Sequence, residues 1–256
     1  MELIRNVSKW GNSAGILLPR EWLGSHVKIM QLRRSEDVKK EIFDILSNHL
    51  EDIIGIYLVG SHARGEQEPD SDIDIIAISK NTRKEIVSGK YNISIITLSS
   101  AKRSLDKNPL MILPRLREAK PILNSSLLSE LIKIKVDKRR FKSFIEDTKR
   151  SVLIDKKFIE LDREDSDYLN SESVIYSLIL RLRGIYLIDC ILKSKDYSKK
   201  AFFNLLTSKL SSEEIENAYL IYNQVKNNQY ISRKIKINTA EKLISLLEAK
   251  IKEYGK

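Results

Sequence analysis

Two aspartates are the residues of this sequence whose type and spacing are best suited to chemistry. Asp72 and Asp74 flank Ile73 at the start of an apolar run. Residues two apart in a β-strand point to the same face, so the two carboxylates are expected to project together. Hard carboxylate oxygens are the ligands that Mg²⁺ or Mn²⁺ prefers. The pair therefore predicts a divalent-metal site.

A Gly-Ser pair supplies the second half of this constellation. Gly60-Ser61 ends the apolar run Ile56–Val59. A glycine at such a turn lets backbone N–H groups and the Ser61 hydroxyl approach a phosphate oxygen. Each motif alone has an ordinary structural explanation, as a turn or as an edge strand. Together, at this spacing, they predict a site for a nucleoside triphosphate and its metal.

Strands alternating with helices are predicted around these residues. Apolar runs indicate strands over 53–59, 73–78 and 91–98, and the stripe from Val38 to Leu50 recurs at helical spacing. Such alternation is typical of an α/β sheet. The strand ends would then place the Gly-Ser turn and the aspartates at one edge of that sheet.

Residues 40–123 resemble the minimal nucleotidyltransferases of the DNA polymerase beta superfamily, whose signature is Gly-Ser, often Ala-Arg-Gly, then Asp-x-Asp. The resemblance implies that Gly60 and Ser61 hold the β,γ-phosphates of ATP or another triphosphate, and that Arg64 neutralises phosphate charge. It implies that Asp72 and Asp74 are the catalytic metal ligands. Two metal ions would stabilise the attacking and leaving oxygens.

One departure from that family concerns its third carboxylate, which belongs to a later strand. The matching strand here, 91–98, contains no acid, and its polar positions are Asn92 and Ser94. Neither side chain acts as a general base near neutral pH. Asp106 falls in the following helix, and Glu118 is too distant in sequence to be assigned to the site by spacing.

The first thirty residues form a separate short module. Strands are predicted over 2–7, 15–18 and 27–30, with a turn at 11–14 and a short helix over 20–23. A unit this small does not bury a core alone, so it is expected to pair with a second copy.

This module, with Lys9-Trp10-Gly11-Asn12-Ser13 and Leu18-Pro19, resembles the AbrB/SpoVT-type swapped-hairpin domains that bind DNA. In that family two chains interlace into one dimeric β-barrel. The resemblance implies a homodimer that binds duplex DNA. The residues expected to contact DNA are Arg5, Lys9, Asn12, Ser13 and Arg20.

A helical bundle is predicted for the C-terminal half. Its helices are expected over 127–149, 151–163, 171–195, 198–208, 211–228 and 239–254. The predicted organisation is a DNA-binding and dimerisation domain over 1–34, a nucleotidyltransferase α/β sheet over 35–123 and a helical bundle over 124–256. Arg181, Arg183 and the Lys199-Lys200 pair are predicted to be solvated, with closure over a triphosphate or an acceptor as the alternative.

The composition limits the class of protein and the kinds of partner that we expect. Apolar residues make up 42% of the 256, and the net charge of +10 divides into about +4, −1 and +7 over the three predicted domains. A basic balance favours polyanions, chiefly nucleic acid. The chain has a single cysteine, Cys190, and no apolar run of about 20 residues, so we expect a cytoplasmic protein without disulfides or membrane contact.

The sequence is compatible with three functions. The first is transfer of a nucleoside monophosphate to a protein or RNA hydroxyl, in an antitoxin-like or regulatory role with a toxin protein or RNA as partner. The second is a DNA-binding regulator whose nucleotidyltransferase fold only binds nucleotide, which the absent third acid favours. The third is nucleotidylation of a small molecule of the aminoglycoside type.

Overall fold

A computed structural model describes residues 8–27, 35–231 and 233–254. The chain divides into two compact units, 1–42 and 43–256. The domain boundaries predicted after residues 34 and 123 stay predictions.

Strands and helices follow the chain in this order. The strands are β1 (Ser8–Trp10), β2 (Ser13–Gly15), β3 (Ile53–Val59), β4 (Ile73–Ser79), β5 (Lys84–Ser88), β6 (Tyr91–Thr97) and β7 (Lys120–Leu123). The helices are α1 (Ser35–Ile45), α2 (Gly60–Arg64), α3 (Leu98–Lys107), α4 (Leu113–Arg117), α5 (Ser125–Ile132), α6 (Lys142–Asp165), α7 (Glu172–Leu192), α8 (Lys199–Leu206), α9 (Ser212–Lys226) and α10 (Ile237–Tyr254).

The first unit contains a small antiparallel hairpin. β1 pairs with β2 so that Trp10 lies opposite Ser13, which leaves a two-residue turn at Gly11-Asn12. Gly11 has φ +58°, as the first position of such a tight hairpin turn requires. The strand predicted over 15–18 is therefore wrong in position, because the turn is shorter than expected and pairing begins at Ser13.

The remaining predictions for this unit have mixed outcomes. The short helix predicted over 20–23 is present as a single 3₁₀ turn, Arg20–Trp22. The strand over 2–7 and residues 28–30 of the next one lie outside the described residues. The swapped barrel and the dimer stay predictions.

A five-stranded mixed sheet organises the second unit. Its strand order is β5-β6-β4-β3-β7, with β4 and β6 parallel and the other pairs antiparallel. Both faces are covered, since Ile75 and Ile93 on one side and Ile76 and Ile78 on the other are at most 1% exposed. The prediction of an α/β sheet followed by a helical region is confirmed.

Helices from the C-terminal region cover the face of the sheet that carries Asp74. Asp74, Ile76 and Ile78 alternate along β4 and share that face, and the two isoleucines belong to the same hydrophobic cluster as α6, α7, α9 and α10. The helical region and the sheet thus share one core. Side chains from these helices are consequently able to reach the sheet edge at Asp74.

The helical region departs from the prediction between residues 127 and 165. A helix over 127–149 and another over 151–163 were predicted, but α5 ends at Ile132 and one continuous helix, α6, runs over 24 residues. The side chain of Asp137 accepts a hydrogen bond from the Arg139 backbone N–H and so starts a new 3₁₀ turn before α6. Among the described residues, no helix is long and apolar enough to cross a membrane.

Asp155 is a buried carboxyl between α6 and α7. It is 5% exposed and accepts a hydrogen bond from the Ser177 hydroxyl at 2.9 Å. Burial raises the pKa of Asp155 to about 6, against the lowering effect of the Ser177 hydrogen bond and the charge of Arg181. Ionisation of this group is therefore disfavoured in the folded protein.

We expect Asp155→Asn to stabilise the protein at pH 7.5 but not at pH 4. The folded pKa lies above the unfolded one, so the free energy of unfolding falls as pH rises from about 4 to about 6. The loss at neutral pH is on the order of 2 to 3 kcal/mol, which asparagine avoids. Urea unfolding of both proteins at the two pH values measures the gain.

The matched control is Asp162→Asn. Asp162 is also buried, but its carboxylate accepts backbone N–H groups of Asn170 and Ser171. This variant should lose stability at pH 7.5. Equal behaviour of the two variants, or a gain for Asp155→Asn that persists at pH 4, would contradict the assignment.

Candidate nucleotide and metal site

The Gly60 turn and the aspartates meet at one edge of the sheet. β3 and β4 are antiparallel, with Val59 opposite Asp74, so the residue after β3 lies beside the start of β4. Gly60 has φ +74°, and a Cβ placed there would lie 2.6 Å from Asp74 Oδ2. Only glycine permits this close approach of backbone and carboxylate. The predicted phosphate turn and metal ligand are therefore in contact.

The two aspartates differ in their surroundings. Asp72 precedes β4 and is exposed, whereas Asp74 is half-buried. Burial raises the pKa of Asp74, and the negative charge of Asp72 adds to the effect, while the positive charges of Arg115, Lys226 and His62 lower it. A cation bound between the carboxylates would relieve this cost.

Two carboxylates are a suitable donor set for Mg²⁺ that also holds substrate phosphates. Such ions are commonly bound by one or two carboxylates, with phosphate oxygens and water completing the octahedron. Within the part of the chain that the structure describes, no group of three or more His, Cys, Asp or Glu side chains is arranged to hold a metal. Asp72 and Asp74 thus fit a metal that arrives with a triphosphate better than one bound by protein alone.

The loop between α2 and β4 is closed by its own hydrogen bonds. Gly65 ends α2 in the left-handed region at φ +72°. A His62 ring nitrogen lies 3.2 Å from the Ser71 carbonyl oxygen, and the Ser71 hydroxyl accepts from the Glu68 N–H. His62 therefore ties the turn to the segment just before Asp72.

Arg64 lies in this loop but is already paired. Its guanidinium contacts Glu66 at 2.8 Å and Glu118 at 2.6 Å, and it lies over the ring of Tyr197 at 5.1 Å. Burial disfavours the charge, yet the hydrogen bonds that the guanidinium donates to the two carboxylates outweigh it and raise the pKa of Arg64. The cation predicted for phosphate is held between two acids.

Glu118 reaches the site, which spacing in the sequence did not reveal. It follows α4, and its Oε1 accepts the Gly60 backbone N–H at 2.8 Å while Oε2 accepts from Arg64. The side chain is only 9% exposed. No local pattern links residues 58 positions apart, so only the fold brings Glu118 here.

Register places Asn92 where an acid on β6 would meet the metal site. β4 and β6 are parallel with Asp74 beside Asn92 and Ile76 beside Ser94. Ser94 instead donates a hydrogen bond to Glu85 on β5 at 2.7 Å. Of the two positions predicted to face the aspartates, Asn92 is therefore the neighbour of Asp74.

The helical region supplies contacts to the phosphate loop. The guanidinium groups of Arg64 and Arg183 both lie over the Tyr197 ring, at 5.1 and 5.3 Å from its centroid. The backbone N–H of Lys199 donates to Glu66, and its ammonium group lies 3.2 Å from Glu68. Arg183 and Lys199 thus contact other side chains rather than standing free on a solvated face.

The residues predicted to contact DNA belong to the first unit. Lys9, Asn12, Ser13 and Arg20 are all exposed. Arg5 lies outside the described residues. Their role in DNA binding stays a prediction.

We expect Gly60→Ala to lose metal-dependent nucleotide binding by at least about tenfold. Both Gly60 and Gly65 have positive φ, so alanine strains the backbone at either position by about 1 kcal/mol. Only at Gly60 does the added methyl group also collide with Asp74, because nothing lies within 4 Å of the corresponding atom at Gly65. Titration calorimetry with MgATP compares Gly60→Ala with the control Gly65→Ala, and equal affinities would show that the close approach is dispensable.

Part of the chain is similar to a known domain family. Residues 39–160 match the family described as "Nucleotidyltransferase domain". No curated protein matches the chain.

Among solved structures, the spectinomycin adenyltransferase AAD(9) from Enterococcus faecialis, determined with ATP and spectinomycin, is 15% identical, with a TM-score of 0.48 over 86% of this chain and 100% of that one. A nucleotidyltransferase-like protein from Exiguobacterium sibiricum 255-15 is 13% identical, with a TM-score of 0.38 over 84% of this chain and 75% of that one. The family match includes both the Gly60 turn and the Asp72-Asp74 pair, so the candidate site lies within the part of the chain, residues 39–160, that is similar to nucleotidyltransferase domains.

Proposed function

We propose that the protein transfers a nucleoside monophosphate from a triphosphate, ATP first among them, to a hydroxyl group of a protein or RNA. The observation that carries this proposal is the contact of the Gly60 turn with Asp74, beside Asp72. The turn that would bind phosphate and the two carboxylates that would bind the metal thereby lie at one sheet edge. The nucleotidyltransferase domain match supports the same reaction class.

The reaction is a displacement at the α-phosphorus. The acceptor hydroxyl oxygen forms a bond to that phosphorus, the bond to the β-phosphate oxygen breaks, and pyrophosphate leaves with the electron pair. Asp72 and Asp74 would hold Mg²⁺, which supplies charge neutralisation for the attacking and leaving oxygens. Gly60 and Ser61 would orient the β,γ-phosphates, and Arg64 would neutralise their charge.

The acceptor hydroxyl must also lose its proton, and this step needs a general base. The residue beside Asp74 on β6 is Asn92, which does not accept a proton near neutral pH. This observation favours a second candidate, a regulator that binds nucleotide without turnover. The two candidate functions differ in whether the α-phosphate of the triphosphate is transferred to an acceptor.

Transfer of label decides between them. The protein would be incubated with each of the four triphosphates labelled at the α-phosphate, Mg²⁺ and cell extract, and protein and RNA would then be separated. Label on either product, absent when Mg²⁺ is chelated, supports transfer. Binding of triphosphate without labelled product from any acceptor supports the regulator.

For the first unit we propose a homodimer that binds duplex DNA, which would suit an antitoxin-like or regulatory role in the cytoplasm with a toxin protein or RNA as partner. Its support is the exposure of large apolar side chains in a unit too small to bury them: Trp10 is 57% exposed, Leu17 70% and Leu23 80%. A second copy would cover these groups.

Charge reversal at Lys9 and Arg20 tests the DNA contact. We expect the double variant Lys9→Glu/Arg20→Glu to weaken duplex binding at least tenfold at about 100 mM salt, because both cations are exposed and phosphate contacts depend on such charges. A gel-shift titration measures it, with Lys107→Glu/Lys209→Glu as the control of equal charge change in the second unit. Equal loss in both variants would assign DNA binding to overall charge.

A further inference from the structure

Glu118 accepts hydrogen bonds from two donors that would bind phosphate oxygens in the proposed function. Its two carboxylate oxygens accept separate hydrogen bonds, one from the Gly60 backbone N–H at 2.8 Å and one from Arg64 at 2.6 Å. A backbone N–H in a glycine turn and a guanidinium group are also the donors that bind phosphate oxygens in many proteins. In this structure the carboxylate therefore takes the position of an anionic ligand.

Charge at the loop leads to the same conclusion. Arg64 faces two carboxylates, Glu66 and Glu118, so the cluster has a net negative charge. A triphosphate approaching this loop meets a cation that is already more than neutralised. Withdrawal of one of the acids would remove this excess negative charge from Arg64, with Arg183 over the same Tyr197 ring as a second cation nearby.

We propose that Glu118 is an internal competitor of the triphosphate, which must leave Gly60 and Arg64 before the β,γ-phosphates bind there. The proposal rests on the proposed function, since it concerns the same turn. Glu118 is the acid to move, because Glu66 is also held by the Lys199 backbone N–H and does not contact Gly60.

Charged groups near Glu118 would act on its carboxylate if it moved away from Gly60 and Arg64. A small cavity lies beside it, lined in part by Pro114, Leu187 and Tyr197. Two cations, Arg117 and Lys195, also line this cavity and would attract the released carboxylate, whereas Asp196 on the same lining would repel it. Arg64 keeps its place over the Tyr197 ring and its contact with Glu66 when Glu118 leaves.

Removing the competitor should tighten phosphate binding. We expect Glu118→Ala to bind MgATP and Mg-tripolyphosphate roughly tenfold more tightly than wild type, since a hydrogen-bonded charge no longer has to be displaced. Glu118→Gln should gain less, because its amide oxygen still accepts from Gly60. The control is Glu66→Gln, which also removes a negative charge beside Arg64. It keeps the hydrogen bond from the Gly60 backbone N–H to Glu118, so its affinity for phosphate should rise least.

Titration calorimetry on the full chain gives the affinities, and thermal melting confirms that each variant is folded. A gain in affinity that is largest for Glu118→Ala, smaller for Glu118→Gln and smallest for Glu66→Gln supports the proposal. If wild type binds and the Glu118 variants bind equally or more weakly, Glu118 supports the loop and the competitor role is wrong, while the proposed function stands. If neither wild type nor any folded variant binds, both are wrong.

Discussion

Asp74→Asn is expected to abolish metal-dependent triphosphate binding and to lower nucleotidyl transfer by about 10²- to 10³-fold. Asp74 is the half-buried member of the carboxylate pair and lies against Gly60. Neutralising it removes one of two protein ligands from an ion whose charge stabilisation is worth several kcal/mol in the transition state. Asparagine has nearly the same shape, so the turn and the sheet should persist.

Asp70→Asn is the matched control. Asp70 is exposed and lies outside the alternating positions of β4, so the same chemical change there should leave binding within about twofold of wild type. Calorimetric titration of ATP with and without Mg²⁺ measures both. Wild-type affinity in Asp74→Asn would show that the metal binds elsewhere.

The pH dependence of binding gives an independent check on Asp74. Because burial and then the neighbouring charge of Asp72 raise its pKa, protons compete with the metal at less acidic pH than for an ordinary aspartate. Affinity for MgATP should accordingly decline as pH falls toward that raised pKa. In the control Asp70→Asn, which keeps Asp74, the same decline should remain.

The core of the site was predictable because it depends on local pattern. β3, β4 and β6 are strands of seven residues each, and apolar residues predominate in all three. Residues that terminate or begin such runs necessarily lie at a sheet edge. The contact of Gly60 with Asp74 follows from that rule and from the Gly-Ser and Asp-x-Asp types.

Two strands were missed because their sequences lack the pattern of a buried strand. β5, Lys84–Ser88, is an edge strand in which only Ile86 is partly covered, and β7, Lys120–Leu123, is four residues long and contains Pro121. β7 matters for the site, because Glu118 lies two residues before it. Because β7 is not predicted from the sequence, the spacing of residues gives no reason to place Glu118 at the site.

β6 has no carboxylate beside Asp74, where its side chain is that of Asn92. We expect Asn92→Asp to raise nucleotidyl transfer by about 10²- to 10⁴-fold, the range typical of a positioned general base. Asn92 is beside Asp74 in the parallel register, so an acid there faces the metal pair. The same substitution adds a third negative charge, which should make the stability of the folded protein more dependent on Mg²⁺.

The variant Ser94→Asp is the control, because it adds the same negative charge at a different position of β6. Ser94 lies on the same face two residues further along β6, beside Ile76, and its hydroxyl bonds Glu85. An acid at that position meets Glu85 rather than Asp74 and should not raise transfer. Initial rates with the α-labelled triphosphate, together with thermal melting at increasing Mg²⁺, compare the two variants.

The outcomes bear directly on which proposed function holds. A rise in Asn92→Asp alone means that the wild-type site has its metal and phosphate groups in place and lacks only a base. Mg²⁺-dependent stabilisation of Asn92→Asp without a rise in transfer means that a third ligand alone does not restore turnover, which favours the nucleotide-binding regulator. A rise in Ser94→Asp instead would place the reacting hydroxyl further along the sheet, toward Glu85, than the register of Asp74 and Asn92 indicates.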